Sequence, residues 1–387
     1  MPDPIYLDHA ATTPVRKEVF EAMEPFYGPR FGNPSSTHRW GREARAALDE
    51  ARERIARCLG ALPDEVLFTS GGTEGDNLAI LGAFRALREK GKRAAVTTPI
   101  EHKAVLGAVH HVVQEGGVER IVAVHHDGLV DRGSYDAALK DDVAVVSVMW
   151  VNNEIGTVQP IAELAQAAKA KGALFHTDGV QAFGKVKVDA RETPFDYFAF
   201  SGHKIGAPKG IGALYVRRGS PLEPLVFGGS QNRGQRPGTE NVAAAVGFAR
   251  AAELALAEME AEMKRLGELR DRLQALLLER IPDAVVHAKG APRAPHILNV
   301  SVPGTDSESL LMALDLAGVA CSSGSACTSG SVDPSHVLVA IGAPREIAVA
   351  AVRMSLGSLT TPESVDRVAH LFPSLIAKAR RLAGAAS

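Results

Sequence analysis

The chain has 387 residues, with 43 basic against 45 acidic side chains and only three cysteines. This length predicts two or more domains with a sizeable core, and the near-neutral charge argues against a nucleic-acid or anionic-membrane binder. Three cysteines with no Cys-x-x-Cys pair exclude a disulfide scaffold and a zinc ribbon. Because the amino terminus lacks a signal-peptide pattern and no stretch approaches the roughly 18 apolar residues of a membrane span, the sequence predicts a soluble cytoplasmic protein.

Short apolar runs alternate with amphipathic stretches through the first two-thirds of the chain, which is typical of strands and helices that follow one another in turn. A helix is predicted between Ser35 or Ser36, which can cap its start, and Gly60, which suits its left-handed end. The pattern indicates a mostly parallel, doubly wound sheet. Its strands are predicted at residues 65–69, 94–98, 120–124, 143–151, 173–177, 197–201 and 212–216.

The composition changes after about residue 243, where a run rich in Ala, Glu, Leu and Arg continues to residue 280 without a proline. Such a run predicts one long helix with a solvated charged face. Two further strands are predicted at residues 296–302 and 317–322, and an amphipathic helix at 361–383. These elements indicate a smaller α+β domain after the sheet.

Five of the predicted strands are followed by polar side chains, and ligands of open α/β sheets bind beyond the carboxyl ends of the strands. The stretch Ser70-Gly71-Gly72-Thr73 precedes a helix predicted to begin near Asp76, which suits a phosphate, although a plain capped turn has the same pattern. The other ends carry Glu101-His102-Lys103, Asn152-Asn153-Glu154, Asp178 with Gln181, and Gly202-His203-Lys204. Each group has a structural explanation when taken singly, but their convergence on one crevice favours a binding site.

Asp178 and Lys204 together indicate one particular cofactor. A lysine amine can hold an aldehyde as a Schiff base while a carboxylate keeps a ring nitrogen protonated, and this is the chemistry of pyridoxal phosphate. Gly72 and Thr73 would then hold the phosphate, and His102 would stack on the ring. The alternative for Gly-His-Lys is a solvent-exposed turn.

The three cysteines differ in their surroundings. Cys327 lies in a run of Ser, Gly and Ala from 321 to 331, which predicts a mobile surface loop that carries a thiol near its middle. Cys321 adjoins an apolar segment and is predicted to be structural, and Cys58 is predicted to lie in the core. Any thiol chemistry therefore belongs to Cys327.

Five motifs together resemble those of the pyridoxal-phosphate-dependent cysteine desulfurases, which belong to the class V aminotransferase family. They are Thr-Ser-Gly-Gly-Thr-Glu at 69–74, Glu-His-Lys at 101–103, Val-Asn-Asn-Glu at 151–154, Ser-Gly-His-Lys at 201–204 and Ser-Ser-Gly-Ser-Ala-Cys-Thr-Ser at 322–329. The resemblance runs from Tyr6-Leu7-Asp8 to Arg353-Met354-Ser355-Leu356-Gly357. The cysteine motif resembles the subgroup that has a long mobile loop.

The resemblance implies a role for each matched residue. Lys204 would form the Schiff base, Cys327 would accept the sulfur, and His102 would stack on the cofactor ring and transfer protons. The implied cofactor-binding residues are Gly72, Thr73, His102, Asn153, Asp178, Gln181, Ser201, His203, Lys204 and, from the other subunit of a homodimer, Thr239. The implied substrate-binding residues are Asn33, Asn153 and Arg353, and no metal is expected. Asp178 would pair with the ring nitrogen and Gln181 with the ring hydroxyl.

The resemblance also implies an architecture, a reaction and partners. The fold would be the type I fold of pyridoxal-phosphate-dependent transferases, with a mostly parallel seven-stranded sheet in a large domain at residues 14–255. Residues 1–13 and 256–387 would form the small α+β domain that carries the Cys327 loop. The reaction would take sulfur from L-cysteine, leaving L-alanine, and pass the Cys327 persulfide to an acceptor protein such as an iron–sulfur scaffold or to tRNA thiolation. No direct nucleic-acid or membrane binding is expected.

Three alternatives remain open, and one residue departs from the family pattern. A selenocysteine lyase or another class V aminotransferase would share the fold, and a non-catalytic assembly scaffold could retain it without the chemistry. The departure is Ser358, which stands where the family often has an arginine after Leu-Gly.

Overall fold

The computed structural model describes residues 3–323 and 333–385, and the side chains of the last four of these are not considered. In this part of the chain twelve strands form three sheets. The strands are β1 (Ile5–Tyr6), β2 (Val66–Thr69), β3 (Ala94–Thr97), β4 (Val118–Ile121), β5 (Val143–Ser147), β6 (Leu174–Asp178), β7 (Tyr197–Ser201), β8 (Gly212–Val216), β9 (Val285–Val286), β10 (Ile297–Ser301), β11 (Val319–Ala320) and β12 (Ala351–Ser355).

Eleven α-helices accompany these strands in the described residues. They are α1 (Lys17–Met23), α2 (Arg39–Leu59), α3 (Gly72–Arg88), α4 (Lys103–Gln114), α5 (Arg132–Ala138), α6 (Ile161–Ala170), α7 (Val242–Arg280), α8 (Ser307–Leu316), α9 (His336–Ala340), α10 (Arg345–Ala348) and α11 (Pro362–Ala385). Within the ranges that the structure describes, no helix is both long enough and apolar enough to cross a bilayer.

The main sheet has seven strands in the order β2-β8-β7-β6-β5-β3-β4. Every neighbouring pair is parallel except the two that involve β8, which runs antiparallel to both β2 and β7. The predicted mostly parallel sheet of seven strands is therefore confirmed, and all seven predicted strands are present with bounds shifted by a few residues. The parallel arrangement brings the carboxyl ends of β3, β5, β6 and β7 to one edge.

Apolar side chains cover both faces of this sheet, as its β-branched and aromatic strands require. One core lies between the sheet and helices α2, α6 and the first half of α7, with Phe198 and Phe200 fully buried at its centre. A second core lies on the opposite face under α3 and α4, around Leu78 and Phe84. Because helices cover both faces of the sheet, the ends of its strands are the part that remains available for a ligand.

A smaller unit follows in the chain, with the antiparallel sheet β12-β10-β9 and helices α8 and α11. Its core includes Leu269, Leu273 and Leu277 of α7, so the second half of this helix belongs to the small core while the first half belongs to the large one. The amino-terminal segment joins the small unit as well, because β1 pairs in parallel with β11. The single long helix predicted at 243–280 is confirmed.

Two local predictions are wrong, and both concern the start of a helix. Helix α2 begins at Arg39, where the His38 side chain accepts a hydrogen bond from the Gly41 backbone, so neither Ser35 nor Ser36 is the cap. Helix α3 begins at Gly72 rather than near Asp76, because the glycine backbone turns directly from β2 into the helix. The predicted left-handed end of α2 at Gly60 is confirmed by its φ of 66°.

Candidate active site

A cavity of about 430 Å³ lies at the carboxyl ends of β5, β6 and β7, beside the start of α3. It has the size of a small-molecule site, and its walls carry several convergent polar groups. Ten residues singled out by the sequence line it: Gly72, Thr73, His102, Asn153, Asp178, Gln181, Ser201, His203, Lys204 and Arg353. The topology thus brings together residues that are up to 281 positions apart in the chain, from Gly72 to Arg353.

One end of the cavity is formed by the first turn of α3. Gly71 occupies the N-cap position, and no side chain from the described residues caps this 17-residue helix. The backbones of Gly71 and Gly212 lie close together, since a Cβ on Gly212 would lie 2.7 Å from the Gly71 Cα. Uncapped N–H groups and the helix dipole favour an anion. Thr73, Ser201 and His203 add polar side chains, so this end fits a phosphate group.

Asp178 lies at the end of β6 on the cavity wall and is 5 % exposed. Its Oδ1 accepts a hydrogen bond from the Val180 backbone at 2.9 Å. Burial raises the pKa of this carboxyl, although His102 and Lys204 oppose the shift. No ion pair within residues 3–323 and 333–385 involves Asp178. A buried carboxylate on a cavity wall without a paired cation fits a protonated ring nitrogen.

Beside Asp178 lies a buried polar pair that the sequence did not single out as a site, and one of its members, Asp76, also lines the cavity. His176 is on the same strand, and its Nε2 lies 3.4 Å from Asp76 Oδ1. The other ring nitrogen contacts the Ser147 hydroxyl at 2.8 Å. Burial raises the pKa of Asp76 well above its usual value and lowers that of His176 to about 3, so the histidine is neutral at physiological pH. Only the folded chain reveals this pair, because its members come from α3 and β6.

Lys204 ends a 3₁₀ turn, Gly202–Lys204, directly after β7. Its Nζ donates to the carbonyl oxygens of Ala10 and Ala11 at 2.6 and 2.7 Å. Burial and the nearby Arg353 lower the pKa of this amine to about 8. A substantial fraction of the amine is therefore neutral near pH 7.5, as a nucleophilic or proton-accepting lysine requires.

Arg353 is held from two sides on β12. It donates through its two terminal nitrogens to the Asn153 carbonyl at 2.9 Å and to Asp8 Oδ1 at 2.8 Å. Its Nε is buried and has no partner among the described residues. Asp8 is part of a matched motif but is not a predicted site residue, and it reaches Arg353 because the chain after β1 forms a bridge between Asp8 and Ser355 of β12. Arg353 lines the cavity, and its guanidinium suits a carboxylate ligand.

The turn after β5 is built by buried polar groups that do not line the cavity. Asn152 accepts from the Glu154 and Ile155 backbones and donates to the Ile100 carbonyl. Glu101 accepts from the Met149 backbone at 2.9 Å, and burial raises the pKa of its carboxyl to about 8. These contacts hold Asn153 and His102 in position, since each follows one of the two buried residues.

Two predicted site residues within the described ranges do not line this cavity. Asn33 is exposed, and its Oδ1 accepts from the Ser35 backbone. Thr239 is exposed in a neighbouring recess that also contains Ser70. Cys327 lies outside the described residues.

The other two cysteines have the properties of structural thiols. Cys58 packs against the large core, and burial raises the pKa of its thiol to about 11. Cys321 packs against the small core, and burial raises its pKa to about 12. Neither thiol forms much thiolate at neutral pH.

The chain belongs to the class V aminotransferase family, whose model matches residues 5–368. Members of this family depend on pyridoxal phosphate, so the cofactor predicted from Asp178 and Lys204 is confirmed at the level of the family.

Known relatives narrow the class further. The chain is 46% identical over 378 residues to the cysteine desulfurase IscS of Dictyoglomus turgidum, covering 98% of this chain and 96% of the relative. A solved NifS-like protein superposes with a TM-score of 0.91 at 36% identity, covering 97% and 99% of the two chains. A solved structure of SspA in complex with cysteine gives a TM-score of 0.78 at 35% identity, covering 91% and 98%. The resemblance to cysteine desulfurases is confirmed.

Proposed function

We propose that this chain is a pyridoxal-phosphate-dependent cysteine desulfurase that removes sulfur from L-cysteine and leaves L-alanine. The observation that carries the proposal is the single cavity in which Lys204, Asp178, His102 and Arg353 meet. Relatives that bear the name cysteine desulfurase support it over nearly the full length of the chain. The solved relative in complex with cysteine supports the choice of substrate.

The residues of the cavity would hold pyridoxal phosphate at three points. Lys204 would bind it covalently through Nζ, Asp178 would face its ring nitrogen, and Thr73, Ser201 and His203 would surround its phosphate at the start of α3. Gln181 would face the ring hydroxyl, and His102 would stack on the ring. When bound, the cofactor supplies an electron sink conjugated with the amino group of the substrate.

Arg353 and Lys204 would act on the amino-acid substrate itself. The Arg353 guanidinium would bind the substrate carboxylate, with help from Asn153, which lines the same cavity. The Lys204 amine, which is partly neutral at physiological pH, would take up the proton from Cα and later return a proton to the carbon skeleton. His102 lies in the same cavity and would assist this proton transfer.

Cys327 would attack the substrate sulfur as a thiolate. A sulfur–sulfur bond forms while the substrate Cβ–S bond breaks, and the electron pair of the broken bond stays with the carbon skeleton, which takes up a proton and becomes L-alanine. Ser322 lies on the cavity wall and pairs with Arg353 of β12. Cys327 is five residues further along, so a chain of at most roughly 17 Å connects its backbone to the cavity.

Cys327→Ser tests this assignment. The variant should bind the cofactor and respond spectrally to L-cysteine, yet release at least about 100-fold less alanine, because a hydroxyl cannot accept the sulfur. Cys58→Ser is the matched control and should keep normal activity, since its buried thiol is unreactive. Normal alanine release by Cys327→Ser would remove Cys327 from the mechanism.

We further propose that the working protein is a homodimer that delivers its persulfide to an acceptor protein such as an iron–sulfur scaffold. Thr239 supports the dimer, because it is exposed beside the recess that contains Ser70 and would approach the phosphate site of a second copy. Phe227 on the same connection is 82 % exposed and would be covered by such a contact. Light scattering that gives the mass of a single chain would contradict the dimer.

A further inference from the structure

Both ends of the Gln181 side-chain amide have hydrogen-bond partners. Its Nε2 donates to the Ala10 carbonyl at 2.8 Å, and its Oε1 accepts from Lys185 Nζ at 2.8 Å. His296 Nε2 lies 3.3 Å from the same oxygen. Gln181 is 4 % exposed and lines the proposed cofactor cavity.

A lysine at position 185 is energetically unfavourable, because its amine is buried. Lys185 lies four residues after Gln181, outside the lining of the proposed cofactor cavity, and it lines a second cavity of about 430 Å³ together with Lys204, His9 and His296. No ion pair of Lys185 is found in the part of the chain that the structure describes. Burial, Lys204 and Arg353 lower the pKa of its amine to about 7. Within the described residues, the bond to Gln181 is the one hydrogen bond that Lys185 makes to another side chain. Lys185 therefore acts on the orientation of the Gln181 amide.

The two ends of a glutamine amide are nearly equal in shape, so their partners decide which end faces which way. A lysine amine next to the amide favours the oxygen at its end, and a carbonyl favours the nitrogen. The Ala10 carbonyl favours the nitrogen at its own end of the amide, and its second lone pair accepts from Lys204 Nζ at 2.6 Å. The neutral His296 ring can either donate or accept. Lys185 is therefore the donor that holds the amide oxygen at its own end and leaves the nitrogen at the Ala10 end.

We propose that Lys185 is a positioning residue that orients the Gln181 amide so that its nitrogen donates toward the ring oxygen of the bound cofactor. The inference rests on the proposed function, in which Gln181 faces that oxygen. Without Lys185, the amide can present its own oxygen to the cofactor oxygen, which replaces a hydrogen bond with a repulsion.

The test is a double-mutant cycle in which cofactor-free protein is titrated with pyridoxal phosphate and the absorbance spectrum of the complex is recorded. Lys185→Met should weaken cofactor binding about tenfold and shift the absorbance maximum, and Gln181→Ala should weaken binding by a similar factor. Because Lys185 acts through Gln181, the double variant should bind within about twofold of Gln181→Ala alone. Lys185→Arg keeps a donor and should restore the spectrum.

Two measurements separate positioning from a loss of fold. Lys187→Met is the control, since Lys187 is exposed and pairs with Glu192, and it should behave as the wild type. Thermal unfolding of the cofactor-free Lys185→Met protein should stay within about 3 °C of the wild type, because the lost hydrogen bond and the removed buried amine offset each other.

Either of two results would overturn the inference: binding and spectrum of Lys185→Met equal to the wild type, or a double variant that loses the product of the two single effects. A wild-type protein that binds no pyridoxal phosphate would instead overturn the proposed function, so the two failures are distinguishable.

Discussion

Lys204 shows at the scale of one residue how burial prepares a side chain for chemistry. The Lys204 amine lies beside the carbonyl oxygens of Ala10 and Ala11 and near Arg353. Burial and the positive charge of Arg353 favour the neutral amine over the charged one, and this lowers the stability of the fold wherever the amine is protonated in the unfolded chain. That cost can be measured without any substrate.

We expect the stability of the cofactor-free protein to rise with pH because of Lys204. The amine titrates near pH 8 in the folded state and near about 10.4 in the unfolded state, so the unfolded state binds more protons between these values. Lys204→Met removes this dependence. The wild type should gain about 2 kcal/mol of unfolding free energy relative to Lys204→Met between pH 7 and pH 10, measured by urea unfolding at each pH.

The same comparison at pH 5 to 7 is its internal control, because both states keep the amine almost fully protonated there and the difference should be flat. A difference that stays constant up to pH 10 would contradict the lowered pKa of Lys204.

The individual site residues could be predicted to different degrees. Lys204 and Asp178 were found because each directly follows a strand that the sequence marks clearly, and their chemistry is specific. Asp76, Asp8 and Lys185 were not, since each acquires its role through a partner that is distant in the chain or, for Lys185, four residues earlier in an irregular turn. Local sequence pattern contains no information on such pairs until the fold is known.

At the scale of elements, the phosphate end of the cavity depends on one glycine in β8. Gly212 lies opposite Thr69 of β2 and Ser201 of β7, at the ends of both neighbouring strands. A Cβ at this position would lie 2.6 Å from the Phe200 carbonyl oxygen and 2.7 Å from the Gly71 Cα. The strand therefore needs a residue without a side chain for the loop before α3 to close over it.

Gly212→Ala should displace this loop and weaken pyridoxal phosphate binding at least about tenfold, because backbone atoms must move to make room. The unfolding free energy should fall by about 1–3 kcal/mol. Calorimetric titration with the cofactor and urea unfolding measure the two effects.

Gly107→Ala is the control, since Gly107 lies in the exposed face of α4 with no atom within 4 Å of the added Cβ. It should raise stability by up to about 1 kcal/mol, as expected for alanine in a helix. Normal cofactor binding by Gly212→Ala would show that the phosphate end tolerates the added methyl group.

The strands and helices were largely predictable from the sequence, but the residues at which α2 and α3 begin were not. Strong apolar runs such as those of β5 and β7 predict buried strands, and the helical periodicity of the α2 and α7 sequences predicts helices. The start of α2 at His38 could not be read from the sequence, because Ser35 and Ser36 are better general caps. The turn that precedes the helix places Ser35 and Ser36 too early in the chain to cap it.

At the scale of the whole molecule, α7 is shared between two cores. Phe248 is fully buried in the large core and Leu273 in the small one, on the same uninterrupted helix. The amino-terminal segment adds a second connection, because Thr13 contacts His203 while Ile5 pairs with Val319. The two cores are therefore expected to unfold as one unit.

Leu273→Ala should destabilise the whole molecule by about 2–5 kcal/mol, since it opens a cavity in the small core. Helix content and bound cofactor absorbance should be lost in one coincident transition. Leu316→Ala is the control, because this leucine is 81 % exposed, and it should change stability by less than about 0.5 kcal/mol. Two separate transitions would contradict the shared helix as a coupling element.

The most direct test of the account is to incubate the purified protein with L-cysteine and a thiol reductant and to quantify alanine and sulfide. The account predicts equal amounts of both from the wild type and neither from Lys204→Ala. A keto acid in place of alanine, or no alanine from wild-type protein that carries bound pyridoxal phosphate, would contradict it.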